Sequence, residues 1–330
     1  MTAMRAFRIH NDDAGYRGAI ETMDTDALSP GEVLVKAEYS SVNYKDALAG
    51  TGKGKILRQY PLNGGIDVAG TVVASTDPAF REGDKVLATG SGLSETRDGG
   101  YAEYARLPAA LTIPLPATLS TREAMILGTA GFTAALALLR MLDNRQRPDM
   151  GPIAITGATG GVGMLGVDIF TQAGFTVHAV SGKPDQFDFL RGIGAAECID
   201  RHTLAFSGKP MESAKYGGML DNVGGKMLAG FLPLIAPYGN AAICGLAGSP
   251  ELPTTVMPFI IRGVSVLGVA SAGTARDIRD EVWRRLAGEW KPRHLDTICT
   301  KEVALDDVAS VFDTMLSGGS FGRTLVRIGG

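Results

Sequence analysis

Four glycines crowd one turn. Gly157, Gly160, Gly161 and Gly163 follow the apolar run Ile153-Ala154-Ile155-Thr156 and precede Met164, Leu165, Val167, Ile169 and Phe170. A buried strand, a glycine-rich turn and a helix start make an anion site. The first N–H groups of a helix lack intrahelical partners, and without Cβ atoms a diphosphate can come close to them. The spacing is Gly-x-x-Gly-x-x-Gly, not Gly-x-Gly-x-x-Gly, so an ordinary βα turn has the same outline. The next strand, 176–180, ends in Ser181-Gly182-Lys183, and a third, 197–200, ends before Arg201. In a dinucleotide site, a carboxylate at the second strand's end would hold a ribose 2′-hydroxyl. Here the first acid is Asp185. A hydroxyl, a flexible residue and cations instead suit a 2′-phosphate, which a carboxylate would repel. The expected cofactor is NADPH; the competing reading of Lys183 is a solvated surface lysine.

The rest of the chain must position that turn. At 330 residues it has room for two domains, with 45% hydrophobic and 20% charged residues. A net charge of −3 argues against nucleic acid or a membrane surface as partner. The start, MTAMRAFRIHNDD, has no apolar signal core. The apolar run 124–139 is too short for a membrane span and reads as a buried helix. Cys198, Cys244 and Cys299 are odd in number and far apart, and His10, His178, His202 and His294 are scattered. Neither a zinc site nor a disulfide framework is supported, and a reducing cytoplasmic setting is expected.

Residues up to about 120 carry short alternating runs broken by Gly and Pro, as in Val33-Leu34-Val35-Lys36-Ala37 and Val68-Ala69-Gly70-Thr71-Val72-Val73. Such runs predict a partly open β-barrel. From Glu123 strand and helix patterns alternate, with strands at 153–156, 176–180, 197–200, 218–222, 240–244 and 264–269, as a doubly wound sheet requires. Helices are expected at 277–289 and 306–316, and a last strand at 323–328 returning to the first domain. The expected domains are 1–123, 124–265 and a return over 266–330.

This layout, with Gly128-Thr129-Ala130-Gly131-Phe132-Thr133-Ala134 before the nucleotide part and the turn 157–163, resembles the medium-chain dehydrogenase/reductase superfamily and its quinone-reductase branch. The zinc alcohol dehydrogenases of that superfamily carry Gly-His-Glu where this chain has Gly65-Ile66-Asp67, and a cysteine ligand that Ser41-Val42-Asn43-Tyr44-Lys45-Asp46 lacks. No metal is therefore expected. Three runs, 40–48, 51–56 and 252–262, resemble the acrylyl-CoA reductase family. The resemblance implies a GroES-like barrel plus a Rossmann domain, a homodimer, and NADPH-dependent reduction of a short α,β-unsaturated acyl-CoA, acrylyl-CoA to propionyl-CoA. It further implies that Tyr44 lies against the cofactor and that Thr159, Gly160, Gly161 and Val162 hold its diphosphate. Ser181, Gly182, Lys183 and Arg201 take the 2′-phosphate, and Leu246, Ile260, Ser271 and Gly318 border the nicotinamide half or a late loop at the cofactor. Asn43 and Asp46 match polar residues of the active-site cleft.

Hydride addition to an enoyl thioester builds an enolate that needs a hydrogen-bond donor at oxygen and a proton at Cα. The candidate catalytic residues are Asn43, Tyr44 and Asp46. Asn43 could donate to the oxygen or cap the turn before Tyr44. Asp46 could act in the cleft or tie the loop down. The proton could come from Tyr44, a lysine or water. Lys53, Lys55 and Arg58 could meet CoA phosphates or be a solvated loop. A quinone oxidoreductase on the same scaffold and an NADPH-binding protein with little turnover are the competing readings.

Overall fold

Residues 2–329 are described in a computed structural model. They divide into one unit of 1–129, 272–283 and 295–330, and another of 130–271 and 284–294. The first unit begins with β1 (Ala3–Asp12), β2 (Gly15–Asp24), β3 (Val33–Val42) and β4 (Leu62–Asn63). It continues with β5 (Asp67–Ser75), β6 (Lys85–Thr89), β7 (Tyr104–Leu107) and β8 (Ile113–Pro114). β1 pairs with β2 and β4, while β3, β5, β6 and β8 run side by side with β7 also on β3. Val33, Val35 and Ala37 alternate inward along β3, against Val68, Val72, Val86 and Leu107, because strand side chains repeat every second residue. Each such valine stabilises the barrel by about 1.5–3 kcal/mol.

Between β3 and β4 lies the short helix α1 (Tyr44–Thr51). It stops at Gly52, whose φ of 70° is left-handed and comfortable for glycine alone. A longer helix, α2 (Thr121–Asp143), follows β8. It is long and apolar enough to cross a membrane by composition, but 83% of that stretch is buried among other residues of the fold. The expected helix at 124–139 thus exists, with a break at Gly128, where φ is 48° and ψ −154°.

In the second unit, β9 (Ile153–Thr156), β10 (Val177–Ser181), β11 (Glu197–Asp200), β12 (Tyr216–Asp221), β13 (Ile235–Ile243) and β14 (Ser265–Gly268) form one parallel sheet. Their order is β11-β10-β9-β12-β13-β14, the arrangement of a Rossmann sheet. α3 (Gly161–Gln172) follows β9. All six expected strands are present, although β13 begins five residues before its expected start at 240. The strand β15 (Cys299–Ala304) and the last strand β16 (Arg323–Arg327) belong to the first unit, where β16 lies antiparallel to β3 as expected of the return. The helix expected over 306–316 is divided into a 3-10 segment, Leu305–Val311, and a short α-helix, Phe312–Leu316. The return over 266–330 does not stay in one unit, since 266–271 and 284–294 belong to the second.

Candidate active site

In the second unit the sheet order reverses at β9, which has β10 on one side and β12 on the other. Parallel sheets bind ligands outside the carboxyl ends of their strands at such a reversal. The glycine turn stands there. Gly157 is left-handed with φ 61°. A Cβ on Gly163 would lie 2.3 Å from the Gly157 carbonyl oxygen, so only glycine allows α3 to start this close to the strand. α3 has no acidic residue in its first turn and no side-chain cap at Gly160. Its first N–H groups, over 161–163, are therefore opposed by no acidic residue of their own turn, as an anion site requires. The ends of β9 and β12 are locked to each other: buried Asp221 accepts from Thr156 Oγ1 (2.7 Å) and Gly224 N (2.7 Å). Burial pushes the Asp221 pKa up.

The candidates for the 2′-phosphate converge beside that turn. Ser181 is buried, pairs its hydroxyl with Thr159 Oγ1 (3.0 Å) and accepts the Lys183 N–H (3.2 Å). It braces the glycine turn against the end of β10. Arg201 N donates to the Ser181 carbonyl (2.9 Å), which brings the end of β11 alongside. The Arg201 guanidinium lies over Gly182: a Cβ there would be 2.4 Å from Arg201 Nε and 3.0 Å from His202 Nε2. His202 was not anticipated from sequence; an imidazole directly after Arg201, at the end of a third strand, was the available signal. The Arg201 and His202 side chains thus meet over Gly182 at the tips of two neighbouring strands, with the Lys183 backbone tied to Ser181 beside them, donors suited to a phosphate monoester. Leu246 and Ile260, in the same unit, are 65% and 75% exposed. Ser271 is the last residue of that unit before the crossing, and Gly318, in the first, is left-handed with φ 76°.

In the first unit, Asn43 caps α1 and Tyr44 is its first residue, 53% exposed. Asp46 accepts the Asn43 backbone N–H (2.8 Å), the Asn43 side-chain amide (3.1 Å) and Ile66 N (2.9 Å). Asn43 Nδ2 also donates to Asp67 Oδ2 (2.8 Å), and its Oδ1 accepts from Arg323 Nη1 (3.2 Å). For Asn43 and Asp46 the sequence leaves two readings open, one structural and one in the cleft, and the hydrogen bonds are those of the structural one. The amide hydrogens of Asn43 are engaged by two carboxylates, which anchors the start of α1. Asp46 is 1% exposed, buried under the start of the helix it caps. Burial, and next the nearby Asp67 charge, push the Asp46 pKa up to about 7 against the pull of its three hydrogen bonds.

Asp67 is the centre of this network, and sequence reasoning passed over it. Its carboxylate accepts from Ser41 Oγ (2.7 Å), Asn43 Nδ2 (2.8 Å), Thr129 N (2.9 Å) and Thr129 Oγ1 (2.5 Å). The break at Gly128 has its cause here, since a Cβ would lie 2.6 Å from Asp67 Oδ2 and 2.7 Å from Ser41 Oγ. Buried Arg323 closes the network, donating to Ile126 O (2.8 Å) and Val42 O (3.1 Å). Burial lowers its pKa, while Asp67 and Asp46 draw it back up. The signals available in sequence were an acid opening the apolar run at 67–73 and an arginine opening the last strand.

This donor set does not suit zinc. Ile66 is buried and apolar where a histidine ligand would stand, and the Asp67 carboxylate is occupied by four hydrogen bonds. Among the described residues no three His, Cys, Asp or Glu side chains cluster as metal ligands. Lys53 forms an ion pair with Asp313 (2.8 Å) and so leaves the basic cluster expected with Lys55 and Arg58.

Known families and structures match both halves. An alcohol dehydrogenase GroES-like domain model fits residues 29–117, and a zinc-binding dehydrogenase model fits 161–288. YhfP of Bacillus subtilis, which bears a quinone oxidoreductase name, is 44% identical over 94% of both chains. Its crystal structure with NAD bound superposes with a TM-score of 0.95, at 42% identity, over 99% of this chain and 100% of that one. Acrylyl-CoA reductase AcuI of Ruegeria pomeroyi is 39% identical over 94% of both chains. The crystal structure of Escherichia coli YhdH with bound NADPH has a TM-score of 0.93 at 41% identity, over 98% of this chain and 99% of that one. With a barrel and a Rossmann sheet each matched, and relatives of this identity along nearly its whole length, the chain belongs to the medium-chain dehydrogenase/reductase superfamily, as an oxidoreductase of its AcuI/YhdH-type quinone-oxidoreductase branch.

Proposed function

We propose that the chain reduces the C=C bond of a short α,β-unsaturated acyl-CoA with NADPH, acrylyl-CoA to propionyl-CoA, without zinc. The observation that carries this reading is the likeness to AcuI of Ruegeria pomeroyi along nearly the whole chain. The YhdH structure with NADPH and the cationic pocket over Gly182 support the choice of cofactor, although the YhfP structure holds NAD. The N–H groups around Thr159, Gly160, Gly161 and Val162 hold the diphosphate, and Gly182, Lys183 and Arg201 receive the 2′-phosphate that Ser181 positions. Leu246, Ile260, Ser271 and Gly318 border the rest of the cofactor. Bound there, NADPH supplies the hydride that adds to Cβ of the thioester. Tyr44 is the exposed member of the Asn43-Tyr44-Asp46 group, and it or a water molecule it orders gives the proton to Cα. Asn43, Asp46 and Asp67 fix the first turn of α1 and so the place of that phenol.

A second copy of the chain completes the protein as a homodimer. Among the described residues the β14 edge of the six-stranded sheet has no neighbour beyond it, and Val256 and Ile261 nearby in sequence are 65% and 58% exposed. The three cysteines are unpaired, in keeping with a reducing cytoplasm. The name of YhfP supports quinone reduction as the second reading. NADPH oxidation measured with acrylyl-CoA, crotonyl-CoA and a panel of quinones decides between them. The highest kcat/KM is expected with acrylyl-CoA; a quinone exceeding it overturns the assignment.

A further inference from the structure

A cavity of about 580 Å³ lies within the first unit, alongside α1 and under the loop that follows it. That volume is in the range of small-ligand sites. Lys45 and Glu95 on its wall neutralise each other at 2.5 Å. Lys55 and Arg58, on the same wall, are exposed, and among the described residues neither is ion-paired. The cavity therefore has two uncompensated positive charges. Its loop is well held: Leu57, between those two cations, is buried, and Arg58 N donates to the Glu95 carbonyl (2.8 Å). Tyr16 and Tyr60 form another wall, with rings edge to face at 5.8 Å, and the Tyr16 hydroxyl is hydrogen-bonded to the Ala49 carbonyl of α1.

Two aromatic rings and two free cations at one hollow suit a phosphorylated nucleoside, the rings against its base and the cations on its phosphates. The position links the hollow to chemistry. Its lining starts at Lys45, one residue after Tyr44, and reaches Gly52, past the far end of α1, so it extends about 12 Å along the helix. We propose that this cavity binds the phosphorylated nucleotide end of an acyl-CoA, with Lys55 and Arg58 on its phosphates, while the acyl end reaches Tyr44. The assignment rests on the acyl-CoA reading above. It replaces the sequence cluster of Lys53, Lys55 and Arg58, because Lys53 is paired with Asp313 and lines a separate hollow.

The test compares acrylyl-CoA with acrylyl-pantetheine, which lacks the phosphates and the nucleoside, at saturating NADPH. In the Lys55→Ala/Arg58→Ala enzyme the ratio of kcat/KM values for the two thioesters is expected to fall roughly ten- to hundred-fold, through KM for acrylyl-CoA. Arg58→Lys, which keeps the charge, should retain most of the ratio. An unchanged ratio, or equal losses on both thioesters, overturns the proposal. A second arm titrates adenosine 3′,5′-bisphosphate into NADP-saturated enzyme by calorimetry. Binding that weakens in the double variant supports the cavity even if acrylyl-CoA proves not to be a substrate, and absence of binding to the wild type overturns it. Failure of the acyl-CoA reading is seen separately, as a wild type that does not turn over acrylyl-CoA.

Discussion

Replacing Arg201 by alanine should turn a cofactor preference into near indifference. The guanidinium lies over Gly182 at the tips of β10 and β11, beside the His202 imidazole. A charge-assisted hydrogen bond to a phosphate contributes about 1.5–3 kcal/mol, or roughly ten- to hundred-fold in Kd. Arg201 is exposed, so screening by solvent and salt moves the expectation toward ten-fold. NADH has no group at that position, and its Kd should change less than about two-fold. Gly182→Ala is the geometric counterpart. Its φ is not left-handed, so alanine brings no backbone strain, but the methyl would meet Arg201 Nε at 2.4 Å and push a flexible side chain off the site. That variant should keep the wild-type Tm and weaken NADPH in the same sense. Because both changes remove one interaction, the double variant should be hardly worse than Arg201→Ala alone. Fluorescence titration of NADPH and NADH against the four proteins gives the numbers. Equal weakening of both nucleotides by Arg201→Ala, or unchanged NADPH binding, would refute the 2′-phosphate assignment.

The remaining expectations concern the buried acid and the sheet edge. Asp46 has a folded-state pKa of about 7, above its ordinary 3.8, so its stabilising contribution is complete below pH 3.8 and is lost as pH rises through 7. Between those values the wild type should lose stability, relative to Asp46→Asn, at up to about 1.4 kcal/mol per pH unit, measured by urea unfolding from pH 5 to 8. A difference between the two proteins that does not vary with pH would show that Asp46 does not titrate there. In the helix Met257–Arg262 just before β14, Ile261→Glu should convert the proposed dimer to monomer in light scattering; a monomeric wild type, or an unaffected dimer, counts against that interface.

Much of the architecture is legible because it repeats locally. Val33, Val35 and Ala37 announce a half-buried strand by their spacing alone, and the apolar run 153–156 followed by glycine announces β9. What escapes is set by distant contacts. Residues 124–139, with glycines at 128 and 131, read as a buried helix, but that Gly128 leaves helical geometry follows from Asp67 and Ser41, more than sixty residues earlier, which need the space its side chain would fill. Residues 306–316 have helical composition, yet 305–311 tighten into 3-10 geometry as Leu305, Val308 and Val311 turn into the same core as Phe7 and Val326.

The site shows the same division more sharply. Residue type reveals what a side chain can donate or accept; the fold alone reveals which of those capacities are already taken. The elements of the proposed phosphate pocket, a glycine turn and two strand ends, were legible because each is local, and a parallel sheet brings neighbouring strand tips together without further specification. Asn43 and Asp46 were legible as polar residues but not as to role. Donors from β3, the N-cap of α1 and α2 meet the one buried carboxylate that β5 carries, and Arg323 reaches Asn43 from the opposite end of the chain. A carboxylate at 67 with an isoleucine before it keeps an acid where a metal site would need one, but commits both of its oxygens to the protein's own donors. The barrel unit therefore holds a hydrogen-bonded clamp on the first turn of α1, and Tyr44 is the residue that this clamp presents to solvent.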